Sequence, residues 1–429
     1  MKEKFIKSTI ILTIGGLITK LLGMLIKIVI SRKIGPTGLG LYMLILPTFS
    51  LFIGISQFGL PIALSKLIAE DTKNNKQLFA SVIPIALIVN IILIFLIIIT
   101  APFISNHLLH NKNTYYGLLS IAAVIPLISI SGICRSYFFG KQQMFPHVLS
   151  NIVEDITRLI LMYFYLPHII SKGLPLAVAF IVLSNIISEL ASIIILFLFL
   201  PKNFSIKKSD FFPKKNYIKE SLKISIPNTS SRFIGSIGYF LEPIILTKML
   251  LKNNFTSNYI ATEYGVISGL VMPILLLPSF FTTGIAGALL PIVSKEYSKK
   301  NFSYIKRKIK QACLISLLIG LPITIVLIIN PSLPLKIIYN TTSGTNYLKF
   351  LAPICLIQYI QAPLSFSLDA MGKSKTALIS TIIGVLTRTI LLIIFSYLKI
   401  GIWALIFSVS FNILFVTIYE IKKVKDYLN

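Results

Sequence analysis

Acidic side chains are scarce in this chain. Against 41 Lys and Arg it carries 14 Asp and Glu in 429 residues, and charged residues of either sign make up only 13%. A water-soluble domain of this length needs far more polar surface. Cysteine is rare too: Cys134, Cys313 and Cys355 all lie in or at the end of apolar segments, without metal-ligand spacing or a disulfide framework. His107, His110, His147 and His168 fall in loops or at a span edge and share no ligand spacing. There is no phosphate-binding Walker motif, no metal cluster and no nucleophile elbow. No acidic pair suited to glycosyl transfer stands in a loop. No catalytic residue, metal or cofactor is therefore expected, and the chain is not expected to be an enzyme.

What is abundant is apolar sequence. Hydrophobic residues make up 55% of the chain, and the mean hydropathy is +0.85. Windows of about 20 apolar residues, the length that crosses a bilayer as helix, recur throughout. Short alternating strands of the outer-membrane barrel kind are absent. The expected class is all-α: a polytopic membrane protein of about 12 transmembrane helices, near 8–31, 39–64, 78–103, 115–134, 148–166, 175–200, 221–247, 264–293, 311–330, 350–371, 376–398 and 400–420. The first run lacks a small-residue cleavage site and reads as a retained helix.

The net charge of +27 raises the question of nucleic acid. Its distribution answers it. With the N-terminus in the cytoplasm, loops on that side carry 27 Lys and Arg, and the opposite loops carry 9. That bias is the positive-inside pattern, with both termini cytoplasmic. No nucleic-acid partner is expected. Five basic residues remain inside the spans: Lys20, Lys27, Arg158, Arg232 and Arg388. The intramembrane acids are Glu154, Asp155, Glu189, Glu242 and Asp369. Ionisable groups at such depth face a partner or a cavity.

The chain divides near 205 into two halves of six spans, 1–205 and 206–429. LPTF at 46–49 matches LPSF at 277–280, an offset of 231; PIALSK at 61–66 resembles PIVSK at 291–295, offset 229 at Ser-Lys. Gly140-Lys141 pairs with Gly372-Lys373 at 232, and Thr157-Arg158 with Thr387-Arg388 at 230. The first helix of each half aligns at 212, bringing Lys20 to Arg232 and Gly23 to Gly235. An even number of spans per half makes the repeat parallel, with a cavity expected between two lobes.

In the first span Gly16, Lys20, Gly23 and Lys27 recur at helical spacing and share one face. In the seventh, Asn228, Arg232 and Gly235 do the same. The cations Lys20, Arg232 and Lys27 are candidates for binding an anion in the cavity, with Gly16, Gly23, Asn228 and Gly235 as a supporting polar stripe. Arg suits bidentate phosphate binding. Lys27, near its span end, could instead snorkel. On the fifth span Glu154 and Asp155 lie four and three residues before Arg158, an ion-pair spacing. With Arg388, they form a candidate ion-pair or ion-coupling set.

The stretches ITKLLGMLIKIVISRKIGPTGLGLYML (18–44), SQFGLPIALSKLIAE (56–70) and YFFGKQQMFPHVLSNIVEDITRLI (137–160) resemble the stage V sporulation protein B branch of polysaccharide flippases. That branch lies within the multidrug/oligosaccharidyl-lipid/polysaccharide exporter superfamily, and the resemblance covers essentially the whole chain. It implies two six-helix lobes and alternating access in a bacterial cytoplasmic membrane. It implies a polyprenyl-pyrophosphate-linked glycan as cargo, in peptidoglycan or polysaccharide synthesis and sporulation, and cavity-facing cations on the first helix of each lobe. Membrane lipids and this glycan are the expected partners, and a monomer is expected. Lipid II flippases carry two further C-terminal helices that form a groove for the lipid tail; the spans here stop near 420. Coupling to Na⁺ or H⁺ stays open. Two other readings are compatible with the residues: a cation-coupled drug antiporter of the same superfamily, and a non-transporting scaffold for envelope or spore assembly.

Overall fold

The computed structural model describes residues 2–70, 75–201 and 215–428; within these, the side chains of 2–7, 9, 215, 216, 218, 224, 226–232 and 234 lie outside the described set. Among the described residues the structure is helical, with no strand. Two compact units form, Met1–Phe240 and Leu241–Asn429. The first holds α1 (Lys2–Gln57), α2 (Leu60–Ala69), α3 (Asn75–Phe103), α4 (Tyr115–Gly140), α5 (Met144–Ile160), α6 (Leu166–Ile170) and α7 (Leu174–Leu198). Helix α8 (Lys215–Lys252) runs through the boundary. The second unit holds α9 (Ser257–Gly265), α10 (Met272–Leu275), α11 (Ser279–Ser298), α12 (Phe302–Ile329), α13 (Ser332–Tyr339), α14 (Thr345–Gln358), α15 (Gln361–Ala370), α16 (Ser374–Tyr397) and α17 (Trp403–Leu428).

Local chemistry explains where the rods break. Within α1, Gly35 takes φ 66° and ψ −178° immediately before Pro36, a conformation open to glycine and not to a side chain. The 48-residue apolar run Ile10–Gln57 is thus two rods, as the sequence expects, but the second expected span, 39–64, is broken after Gln57. The second rod stops at Phe58 and Gly59, both left-handed, and α2 restarts with a proline in its first turn. Between α10 and α11 the axis bends by 52°.

By length and hydropathy, eight of the described helices can cross a membrane, or nine when α9–α10 and α11 count as one bent span. Counting α1 as two rods and adding α5 and α8 reaches the twelve of the sequence reading. Helix α5 carries Glu154, Asp155 and Arg158, and the side chains of α8 are described only in part.

The outer faces are apolar. On α3, Leu93, Ile97 and Ala101 are buried while Ile88, Ile92, Phe95 and Ile99 are exposed, Ile99 by 72%. Exposed apolar surface on this scale is stable against lipid, not water. Inside the first unit, Leu60, Leu64, Leu78, Phe79, Tyr137 and Phe138 form a core from α2, α3 and α4. Gly140 lets α2 approach: a Cβ there would meet the Ser65 carbonyl at 2.7 Å. The second unit has a like core of Leu289, Val293, Ile305, Leu364, Leu368 and Val424.

The two units repeat one register. Helix α4 ends at Gly140 and α5 begins at Met144; α15 ends at Ala370 and α16 begins at Ser374. The intervening turns each hold one left-handed residue, Gln142 (φ 56°) and Gly372 (φ 75°). The offset is therefore 230, which places Arg388 on Arg158. The sequence pairing of Gly140-Lys141 with Gly372-Lys373 is off by two residues: Gly140 ends a helix against α2, whereas Gly372 turns the chain.

Candidate functional site

The first candidate surface is the stripe on α1. Gly16, Lys20 and Lys27 are exposed and Gly23 is half-buried. No described atom lies within 4 Å of where a Cβ would sit on Gly16 or Gly23. Among the described residues these glycines do not serve helix packing. That role falls to Gly15, where a Cβ would strike Val148 of α5 at 2.1 Å. Ile26 and Ile30 are buried, and Ile10, Ile14, Leu17, Leu21 and Leu25 are exposed. At 100° per residue, α1 thus has three faces: a buried one, an apolar exposed one, and between them the strip of Gly and Lys. Of the seventh-span stripe, Gly235 is half-buried within α8. The side chains of Arg232 and Asn228 lie outside the described residues.

The second candidate is a half-buried charge cluster in the first unit, built around the buried Glu189. On α5, Arg158 Nη2 donates to Glu154 Oε1 at 2.5 Å, and Arg158 Nη1 lies 4.0 Å from Asp155 Oδ1. Arg135 of α4 joins them. Its Nη2 donates to Glu154 Oε2, to Glu189 Oε2 of α7 at 3.2 Å and to Ser192 Oγ at 2.7 Å. Arg158 Nη2 also reaches Ser188 Oγ at 3.4 Å. Glu189 is 3% exposed. Such a pair is stable only while every member stays partnered.

Two members of this cluster were not assigned to the site from sequence. Arg135 lies one residue past the fourth span expected from sequence, but α4 continues to Gly140 and brings the guanidinium to Glu154 and Glu189. Glu189 was recognised as an intramembrane acid without a partner. That unpaired acid was the available signal, since a buried carboxylate demands a countercharge.

The second unit treats the same positions differently. Arg388 of α16 pairs through Nε with Glu242 Oε2 of α8, and Tyr264 OH donates to Glu242 Oε1 at 3.4 Å. Glu154 corresponds to Gly384, where a Cβ would meet Asn412 Oδ1 at 3.1 Å. Arg135 corresponds to Ser365. Among the described residues no group of three or more His, Cys, Asp or Glu could hold a metal, and the three cysteines are free.

A repeat of helical units with ion pairs between its helices and apolar outer faces defines a multi-pass membrane protein of transporter architecture. The fold agrees: a solved inward-facing MATE family multidrug transporter of the MOP superfamily covers 98% of this chain with 98% of its own, at TM-score 0.78 and 17% identity. The inward-closed Lipid II flippase MurJ covers 97% of this chain with 87% of its own, at TM-score 0.73 and 18% identity. A family model described as polysaccharide biosynthesis protein matches residues 5–296, and the MatE model matches 243–398. Stage V sporulation protein B of Bacillus subtilis is 31% identical over 398 residues, 90% of this chain and 77% of that protein. The chain belongs to the polysaccharide biosynthesis protein family, within the superfamily of flippases and exporters that includes these transporters.

Proposed function

We propose that this protein moves an undecaprenyl-pyrophosphate-linked glycan, a peptidoglycan or polysaccharide precursor, from the inner to the outer leaflet of a bacterial cytoplasmic membrane by alternating access. The observation that carries the reading is the α1 strip: two lysines on a face whose glycines meet no described atom within 4 Å of a Cβ position. A membrane helix keeps an exposed cationic strip for an anion, because an ammonium deep in hydrocarbon is otherwise costly. Lys20, Arg232 and Lys27 hold the pyrophosphate, and the lipid tail stays in the bilayer. The lobes of this reading are 1–205 and 206–429, the protein works as a monomer, and both termini face the cytoplasm.

The energetics support outward movement without a nucleotide. Each negative charge carried out across an inside-negative membrane gains about 2.3 kcal/mol per 100 mV if it crosses the full field. An empty cationic site is drawn back inward, which resets the cycle. A cation-exporting relative would need acids on this strip, and the strip carries none. The test is binding of a polyprenyl pyrophosphate against the uncharged polyprenol in nanodiscs. The pyrophosphate should bind at least ten-fold tighter, and Lys20→Ala with Arg232→Ala should erase that preference while the protein stays folded. Equal affinity for the two lipids, or tight binding of cationic dyes instead, refutes the reading.

A further inference from the structure

We propose that Glu420 of α17 is a proton-binding site: a buried carboxylate on the last helix of its unit, as Glu189 is, but with a serine in place of the guanidinium beside it. The register makes the comparison. Arg135 precedes the left-handed turn residue Gln142 by seven positions, and Ser365 precedes Gly372 by seven. In the first unit the fourth-span residue Arg135 donates to the carboxylate of the last helix, Glu189. In the second unit Ser365 Oγ donates to the carboxylate of the last helix, Glu420 Oε1, at 2.7 Å. Ser380 Oγ donates to the same oxygen at 3.0 Å. Ser380 sits at the register position of Ser150, whose hydroxyl in the first unit donates instead to the His147 carbonyl at 2.8 Å; here both hydroxyls serve the carboxylate and no guanidinium does.

The consequence lies at the other oxygen. Glu420 is 3% exposed, and its Oε2 is buried without a hydrogen-bond partner. Among the described residues no ion pair reaches it. The nearby charges do not compensate. Asp369 of α15 is itself an acid, one helical turn beyond Ser365. Lys373 stands over the Tyr427 ring at 4.8 Å, Tyr427 OH is 2.8 Å from Thr376 Oγ1, and Lys423 pairs with Asp426 at 3.5 Å. Arg388 of α16 is held by Glu242. Arg307 and Lys308 of α12 lie over Tyr304. Lys306 and Lys310 of α12, Lys349 of α14, Lys375 of α16 and Lys422 of α17 form no ion pair with Glu420 among the described residues.

An ionised carboxylate with a bare buried oxygen is the state an apolar interior penalises most. A proton from water on Oε2 converts it to the neutral acid, and no other bond changes. Both hydroxyls already donate to Oε1, so the carboxyl needs one positive charge and nothing else. A proton fits this better than a metal cation, which takes many oxygen ligands.

The test reads the carboxyl itself and is independent of any glycan or transport. Infrared difference spectra of the reconstituted full chain are recorded at neutral pH, with sodium or potassium as the only salt. The expected result is a carbonyl stretch of a protonated carboxylic acid, identical in both salts and lost in Glu420→Gln. That variant is isosteric and keeps an oxygen for both hydroxyls. Independently, Ser365→Arg restores the arrangement of the first unit and should abolish the band by ionising Glu420. Three results overturn the proposal: no such band in the wild type, a band that Glu420→Gln leaves in place, or a band that sodium removes at constant pH.

Discussion

Replacing Arg135 by Gln should be among the most damaging single changes in the first unit. The guanidinium bonds Glu154, Glu189 and Ser192. Without it Glu189, 3% exposed, loses its ion-pair partner and keeps only weaker support from Ser131 and Arg158. Breaking a buried pair from one side costs about 3–5 kcal/mol. With a shift of roughly 2–4 °C per kcal/mol for a unit of this size, the unfolding midpoint should fall by about 6–20 °C. Glu154 softens the loss because Arg158 still holds its Oε1 at 2.5 Å. The decisive comparison is the double variant Arg135→Gln, Glu189→Gln. Removing both charges leaves two amides that can bond each other and Ser192, and should recover at least half of the lost stability. The assay is thermal unfolding of detergent-purified protein followed by intrinsic fluorescence and by fluorescence-detected size exclusion. A single variant within about 2 °C of wild type, or a double variant no better than the single, refutes the argument that this cluster is one coupled unit.

Three further outcomes follow from the geometry. Gly15→Ala forces a Cβ to 2.1 Å from Val148 and should destabilise by about 1–3 kcal/mol. The neighbouring Gly16→Ala meets nothing within 4 Å and should leave unfolding unchanged or stabilise the helix by about 0.5–1 kcal/mol; the same melting assay separates them, and equal effects would contradict the assignment of faces on α1. Gly35→Ala places a side chain at φ 66° and should cost about 1–2 kcal/mol, with yield of monodisperse protein as the check. Gly320→Ala drives a Cβ to 2.2 Å from the Tyr359 ring, whose hydroxyl donates to the Leu275 carbonyl at 2.7 Å; a loss of about 1–3 kcal/mol is expected, and Tyr359→Leu in the same chain should relieve the clash.

Much of the fold was legible because membrane helices announce themselves by length and hydropathy. The exceptions are instructive. Helix α5 carries Glu154, Asp155 and Arg158, so a segment with a weaker apolar signal holds part of the candidate chemistry. The α1 strip was readable from spacing alone, since Gly16, Lys20, Gly23 and Lys27 fall on one face whatever surrounds them. Which glycine packs and which stands open was not readable. Gly15 and Gly16 are adjacent and chemically identical, and only the position of Val148 separates them. Arg135 was missed for a related reason: five residues from a helix end, it reads equally as a loop charge or as a buried partner, and only the third dimension brings it to Glu189. Glu420 sits at the edge of the last span, where a carboxylate reads as interfacial; only the structure brings Ser365 and Ser380 to it.

The most direct measurement of the central claim is translocation by the purified chain in proteoliposomes. A polyprenyl-pyrophosphate glycan is placed in one leaflet, its arrival in the other is read by a membrane-impermeant sugar-specific probe, and a potassium diffusion potential is set in either direction. Transfer should be accelerated when the destination side is positive, slowed when the potential is collapsed, and lost in Lys20→Ala with Arg232→Ala. Transfer that matches protein-free vesicles, or that is unchanged in the folded double variant, would contradict it.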